Sequence, residues 1–231
     1  SVSWQPMDTM ELGLKDKVAI VTGASEGMGL ACVERLARSG ARVAMCARRP
    51  DVLSAAAASM QQRTGAEILA MPTDVTKAAE IDAFMEAVIA RFGGIDILLN
   101  NAGGWSAKPF EEIEDSVWQY DLDLKVMAAI RFCRLALPHM RARGGGAVVN
   151  VTTIAGKAPS ARGLPTSLSR AAGIHLSKAL ACEYAAAQIR VNTICVGVVK
   201  TGQWSRYAEG DLDAYFRQVA QQRQIPLGRV G

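Results

Sequence analysis

Thr22-Gly23-Ala24-Ser25-Glu26-Gly27-Met28-Gly29 is the stretch that decides how the remaining residues are read. It follows an apolar run, Val18-Ala19-Ile20-Val21, and opens a helical pattern that continues through Leu36. Glycines let the backbone turn sharply and come close to a pyrophosphate. The first N–H groups of the following helix, and its dipole, favour the negative charge. Three glycines alone would serve any tight turn. The strand before them and the helix after them point instead to a dinucleotide site.

The pattern continues outward from that turn. Short runs rich in Val, Ile and Leu, each ending at a turn signal, predict buried parallel strands at 18–21, 42–46, 67–70, 95–99, 147–151 and 190–195. Helical stretches are expected between them at 27–39, 50–64, 78–92, 110–141 and 167–187, the first four closed by glycines. Six such alternations with short links imply an α/β fold, a Rossmann-like doubly wound parallel sheet with helices on both faces. The expected organisation is an N-terminal extension at 1–13 and a single nucleotide-binding domain at 14–231. Residues 200–224 carry no strand signal and hold Trp204, Tyr207, Tyr215 and Phe216. They read as a helical lid after the sixth strand, where a substrate would enter.

Composition narrows the function classes. Half of the 231 residues are apolar, which suits strands covered on both faces. A net charge of +4 comes without any basic cluster, so nucleic acid is not an expected partner. No apolar run approaches the roughly 20 residues needed to span a bilayer, so no membrane partner is expected. Residues 1–13 lack the pattern of a secretory signal, and a cytoplasmic protein is expected. The five cysteines show no paired or metal-type spacing and read as small core residues; with only two histidines, no metal site is expected. His175 reads as a partly buried structural histidine.

Further signals fall at the C-terminal strand ends, the edge where open α/β sheets bind ligands. Asp74-Val75 ends the third strand, where a carboxylate can accept from an adenine amino group. Asn100-Asn101-Ala102-Gly103 ends the fourth, its small residues leaving room for a flat ligand. The sixth leads through Ile189-Arg190-Val191-Asn192-Thr193 to Gly197, Val199 and Thr201.

This order of motifs resembles the short-chain dehydrogenase/reductase family over about residues 14–231. Thr22 to Gly29 is similar to the family's TGxxxGxG turn and Asn100 to Gly103 to its NNAG motif. Leu227-Gly228-Arg229-Val230-Gly231 looks like the segment before a final helix and strand, and that strand is not among the 231 residues. The resemblance implies that Gly23, Ser25, Met28 and Gly29 line a pyrophosphate and ribose. Asp74 and Val75 would hold adenine, and Asn101, Ala102 and Gly103 the adenosine ribose side. Gly197, Val199 and Thr201 would lead to the nicotinamide amide and phosphate. The second strand ends in Arg48-Arg49 with no acid for a ribose 2′-hydroxyl, and guanidinium suits a 2′-phosphate. NADP is therefore favoured over NAD, with Glu26 arguing the other way.

The resemblance breaks at the chemistry. Members of this family usually use an Asn–Ser–Tyr–Lys tetrad in which the tyrosine gives the proton. The serine position falls on Thr153, and thirteen residues later the tyrosine position falls on Thr166. The lysine position falls on Arg170, and the asparagine position on Asp123. Thr153 keeps a hydroxyl. Arg170 keeps a cationic donor that does not release its proton, and Asp123 would add a negative charge beside it. Thr166 lacks the acidity of a phenol (pKa ~10) and falls about 4 Å short of its reach; it reads as the N-cap of the helix that follows. Lys157, on the loop after the fifth strand, is a possible substitute acid, as is Tyr207.

The expected function is hydride transfer between NAD(P) and a small-molecule carbonyl or alcohol, with a non-standard proton donor. Alternatives are a catalytically silent nucleotide-binding sensor or scaffold, and lyase or isomerase chemistry on the same frame. The resemblance, with an apolar stripe at Ile113, Val117, Leu124, Met127 and Ile130, implies a homodimer or homotetramer.

Overall fold

The computed structural model describes residues 12–201 and 211–231. Six strands run parallel in one sheet of order β3-β2-β1-β4-β5-β6. They are β1 (Val18–Thr22), β2 (Arg42–Ala47), β3 (Ile68–Pro72), β4 (Ile97–Asn100), β5 (Gly146–Thr153) and β6 (Ile189–Val196). Every expected strand is present, its ends moved by no more than two residues, which is ordinary for strand ends.

Alternation of side chains about the pleat explains the unbroken apolar runs. Val18 and Ile20 of β1 enter one core; Ala19 and Val21 enter the other. Helices α1 (Gly27–Arg38) and α2 (Pro50–Thr64) cover the second face with Val33, Ala37, Leu53 and Met60. Helix α3 (Ala78–Phe92) covers the first face with Ile81 and Phe84, and α5 (Ala128–Ala142) with Phe132 and Leu137. Phe84 and Phe132 meet edge to face, 6.1 Å between ring centres. α6 (Thr166–Tyr184) lies along β5 and β6.

The expected helix over 110–141 is corrected by the structure. A 3-10 turn at Phe110–Glu112 comes first, then Ile113 and Glu114 are extended, with ψ of 105° and 153°. Helix α4 (Asp115–Leu122) passes into a π turn at Asp123–Met127 before α5 begins. A π turn inserts one residue into the helical register, and apolar spacing does not report it. The expected helix over 167–187 likewise starts one residue early and ends in a separate 3-10 turn, Ala185–Ala187.

Of the expected lid, the described part holds α7 (Leu212–Gln222), whose Phe216 and Val219 pack on Val198 and Val230. Trp204 and Tyr207, like residues 1–11 of the expected extension, lie outside the described residues. Two smaller expectations are also corrected. Only Cys46 and Cys133 of the five cysteines are buried, and Cys182 is exposed. His175 is exposed rather than partly buried, because its position on α6 faces away from the sheet. No helix among the described residues is long and apolar enough to cross a membrane.

Candidate functional site

The order in which successive strands are added to the sheet reverses between β1 and β4, and the glycine turn stands at that switch point. Thr22, the last residue of β1, ties the two strands together. Its Oγ1 accepts from the backbone N–H groups of Asn101 and Ala102, each at 3.0 Å. The Asn101 side chain returns the tie by donating to the carbonyls of Thr22 and Gly23 at 3.0 Å. Gly23 has φ of 62°, and a Cβ there would lie 2.8 Å from Ala102 Cα. A Cβ on Gly29 would lie 2.3 Å from the Gly23 carbonyl oxygen. Both positions need glycine for the turn to close. Ser25 is buried beside the turn, and Met28 is partly exposed at its rim.

Helix α1 begins behind this turn with Glu26 at the cap position and no side-chain capping bond among the described residues. Its first N–H groups are thus left for an anion. Glu26 is occupied otherwise: its carboxylate pairs with Arg49 at 2.8 Å. Arg48 donates to the Tyr120 hydroxyl at 2.9 Å. Asp74 closes its own turn, Oδ1 accepting from the N–H and hydroxyl of Thr76 at 3.0 and 2.8 Å. Burial alone would raise its pKa; those two bonds, with Arg48 and Lys77 nearby, outweigh it and hold the carboxyl below its usual value. Val75 is buried in the core behind it. On the far side, Thr201 reaches the turn, 3.6 Å from where a Cβ on Gly27 would stand. Gly197 is exposed and Val199 half-buried between β6 and that contact.

A second group of polar residues collects where β5 meets α6. The Arg170 guanidinium donates to the Val151 carbonyl at 2.8 Å and fills the space above Gly103, where a Cβ would lie 2.4 Å from its NH2. Its Nε is buried without a partner among the described residues, as is the Thr153 hydroxyl at the end of β5. Thr166 is the first residue of α6, with Pro165 at the cap position, so the expected N-cap role is corrected. Its hydroxyl is instead turned inward. Oγ1 accepts from the Ser106 N–H at 3.1 Å and from Lys125 Nζ at 2.9 Å.

Lys125 comes from the π turn and is buried, ion-paired with the fully buried Asp121 one turn earlier. Asp121 Oδ2 also accepts from the Ser169 hydroxyl at 2.6 Å. Burial pushes the Lys125 amine down to about 8 although Asp121 pulls the other way, and Arg170 adds to the fall. The expected acid beside Arg170 is therefore Asp121. Asp123 is turned out of the site to accept from Gln119 at 2.9 Å, 3.8 Å from Arg131. Lys157 is exposed at the end of a 3-10 turn. Beneath the cluster, Asn100 donates to Asn150 and Asn150 to Ser177, each at 2.8 Å.

The short chain dehydrogenase profile matches residues 17–211. The chain belongs to the short-chain dehydrogenase family. Among curated relatives of this short-chain dehydrogenase, human dehydrogenase/reductase SDR family member 4 (Homo sapiens) is 35% identical over 192 residues, 81% of this chain and 68% of its own. L-Sorbose reductase from Gluconobacter frateurii, solved with NADPH and L-sorbose, superposes with a TM-score of 0.91. It is 38% identical and covers 96% of this chain and 87% of its own. The NADPH-bound short chain oxidoreductase of Pseudomonas aeruginosa PAO1, described as containing an atypical catalytic center, has a TM-score of 0.89. It is 40% identical over 94% of this chain and 84% of its own.

Sequence reasoning overlooked Lys125, Asp121, Ser169 and the Asn100–Asn150–Ser177 ladder. Asp121 and Lys125 stand four apart in a helical stretch, a spacing that normally marks an exposed pair. The flanking apolar residues Leu122, Leu124 and Val126 were the available hint that this pair turns inward.

Proposed function

We propose that the protein is an NADPH-dependent reductase of a small carbonyl compound, working in reverse on the alcohol, whose proton does not come from a tyrosine. One observation carries this reading. Two unpartnered buried donors, Arg170 Nε and Thr153 Oγ1, stand at the end of β5 in the sheet whose β1 turn presents uncapped helical N–H groups. Buried donors without partners are uncommon, and a polar ligand satisfies them.

The residues fit a nicotinamide dinucleotide. The α1 N-terminus and the glycine turn would hold its pyrophosphate, and Asp74 and Val75 its adenine. Ala102, Gly103, Gly197, Val199 and Thr201 would hold its ribose and amide, and Arg170 the nicotinamide ribose. The Asn101 side chain braces the turn from behind. Arg48 and Arg49 would meet a 2′-phosphate; because Arg49 neutralises Glu26, that carboxylate no longer opposes NADP. The NADPH complexes of the Gluconobacter and Pseudomonas proteins support the same preference. When bound, the reduced nicotinamide supplies a hydride. Thr153 offers its hydroxyl to the substrate oxygen, and Arg170 remains charged at every working pH. Helices α4 and α5, together with α6, are the proposed faces of a homodimer or homotetramer.

The test titrates NADPH and NADH separately by fluorescence and then measures turnover on a panel of ketones, aldehydes and ketoses that includes L-sorbose. Tighter binding of NADPH with turnover of at least one carbonyl is expected. Binding without turnover on the whole panel would replace this reading with a silent nucleotide-binding protein.

A further inference from the structure

We propose that the buried Lys125 ammonium is the proton source of this reductase and that the Thr166 hydroxyl passes its proton to the substrate oxygen. The inference rests on the reductase reading above and names the group that replaces a phenol. Three observations carry it.

The first is the donor count at Thr166. A hydroxyl has two lone pairs and one proton. Both lone pairs of Oγ1 are taken, by the Ser106 N–H and by Lys125 Nζ, while no acceptor for its own proton stands among the described residues. Two donors on one hydroxyl oxygen polarise the remaining O–H. The second is location. Lys125, Ser169 and Arg170 line a small cavity that reaches Thr22, Asn100 and Ala102, at and just beyond the C-terminal ends of β1 and β4. The third is charge balance. Lys125 faces Asp121 on its own helix, and Thr166, Ser169 and Arg170 on α6; Asn100 and Asn150 are the neutral groups on the strands. A carboxylate keeps the amine charged, and a guanidinium together with burial makes it release the proton more readily than a surface lysine. With its pKa brought to about 8, the amine is charged at neutral pH and able to give its proton up.

The step balances. The carbonyl carbon gains the hydride that the reduced dinucleotide supplies, and its oxygen takes the Thr166 hydroxyl proton as the C=O π bond breaks. Thr166 Oγ1 takes a proton from the Lys125 ammonium in the same event and ends as a hydroxyl. The remaining neutral amine is reprotonated from water.

The experiment uses the full chain with NADPH and the best carbonyl of the panel. Lys125→Met alone leaves Asp121 buried and unpaired, so the working variant is Lys125→Met/Asp121→Asn, beside Thr166→Val and the conservative Thr166→Ser. Folding is followed by thermal melting, and NADPH binding by fluorescence. The double variant and Thr166→Val are expected to bind NADPH as before and to lose turnover about 100-fold or more, whereas Thr166→Ser retains it. In the parent, kcat/KM for reduction should fall as pH rises through about 8, and this limb should vanish in the double variant. Independently of turnover, the Lys125 15Nζ resonance of the cofactor-free protein, assigned by its loss in Lys125→Arg, should titrate near the same pH. A folded double variant turning over within threefold of the parent overturns the relay and leaves the reductase reading standing. So does a Lys125 amine that titrates above about 10, the range of a free lysine. A parent that binds NADPH and reduces nothing overturns both.

Discussion

The strand ends around β1 and β4 and those around β5 and α6 lie side by side in one sheet, and they bury polar groups in opposite ways. At β1 and β4 the bonds around the glycine turn close on themselves, Asn100 Oδ1 alone being left without a partner there among the described residues. Thr22 and Asn101 spend their side chains on each other's backbones, and the turn is held with no charge inside it. At β5 and α6 a carboxylate, an amine and a guanidinium are buried together, and two donors are left without partners. The first arrangement is a rigid mould whose free groups are the outward N–H groups of a helix. The second costs stability, since burying charges is expensive even when they are paired. That cost is characteristic of a region kept for chemistry rather than for folding.

The contrast is broken most severely at Lys125. Lys125→Met should cost about 3–5 kcal/mol in urea unfolding, because Asp121 is then an uncompensated buried charge. The double change with Asp121→Asn should recover most of it. Equal losses in the two variants would show that the pair is not coupled. Gly29→Ala attacks the neutral region: a Cβ 2.3 Å from the Gly23 oxygen must move the turn. About 1–3 kcal/mol of overpacking is expected, with loss of NADPH binding; calorimetric titration showing parent-like affinity would contradict the tight-mould account.

Arg48→Ala should weaken NADPH about tenfold and leave NADH within twofold, since only a 2′-phosphate engages the guanidinium strongly. Equal weakening of both would move the selectivity elsewhere. The smallest effect is expected below the sheet, at Asp96. Burial by itself raises the pKa of this carboxyl. The Val18 N–H at 2.8 Å and Arg143 at 3.0 Å outweigh it, with Lys17 adding, so the folded value lies below the usual one. Its contribution is therefore present above the unfolded value of ~3.9 and is lost as pH falls from there through the depressed folded value. Asp96→Asn should cost about 1 kcal/mol at neutral pH and flatten the acid limb of the melting curve. An unchanged limb would assign acid sensitivity to other carboxylates.

The two regions were also unequally legible in the sequence. Glycine spacing after a strand is a local signal with a local cause. Thr22 to Gly29 thus revealed the mould, and the apolar runs revealed the six strands. The charged region was not legible, because its members lie on different elements. Thr166 reads as a cap until α6 is seen to start on it with its hydroxyl facing inward. Asp123 reads as the acid of the site until the π turn rotates it toward Arg131 and sends Lys125 inward.

By itself the sequence determined the doubly wound sheet, the glycine turn at its switch point and the absence of a tyrosine at position 166. Each of these follows from residue type and spacing along the chain. Tertiary structure alone decided which charged side chain occupies the gap beside Thr166. One extra residue in a helical turn is energetically slight and leaves no mark on apolar periodicity. Around it, the Asp121–Lys125 pair is buried beside Thr166 and Ser169, and Asp123 lies by Gln119 and Arg131.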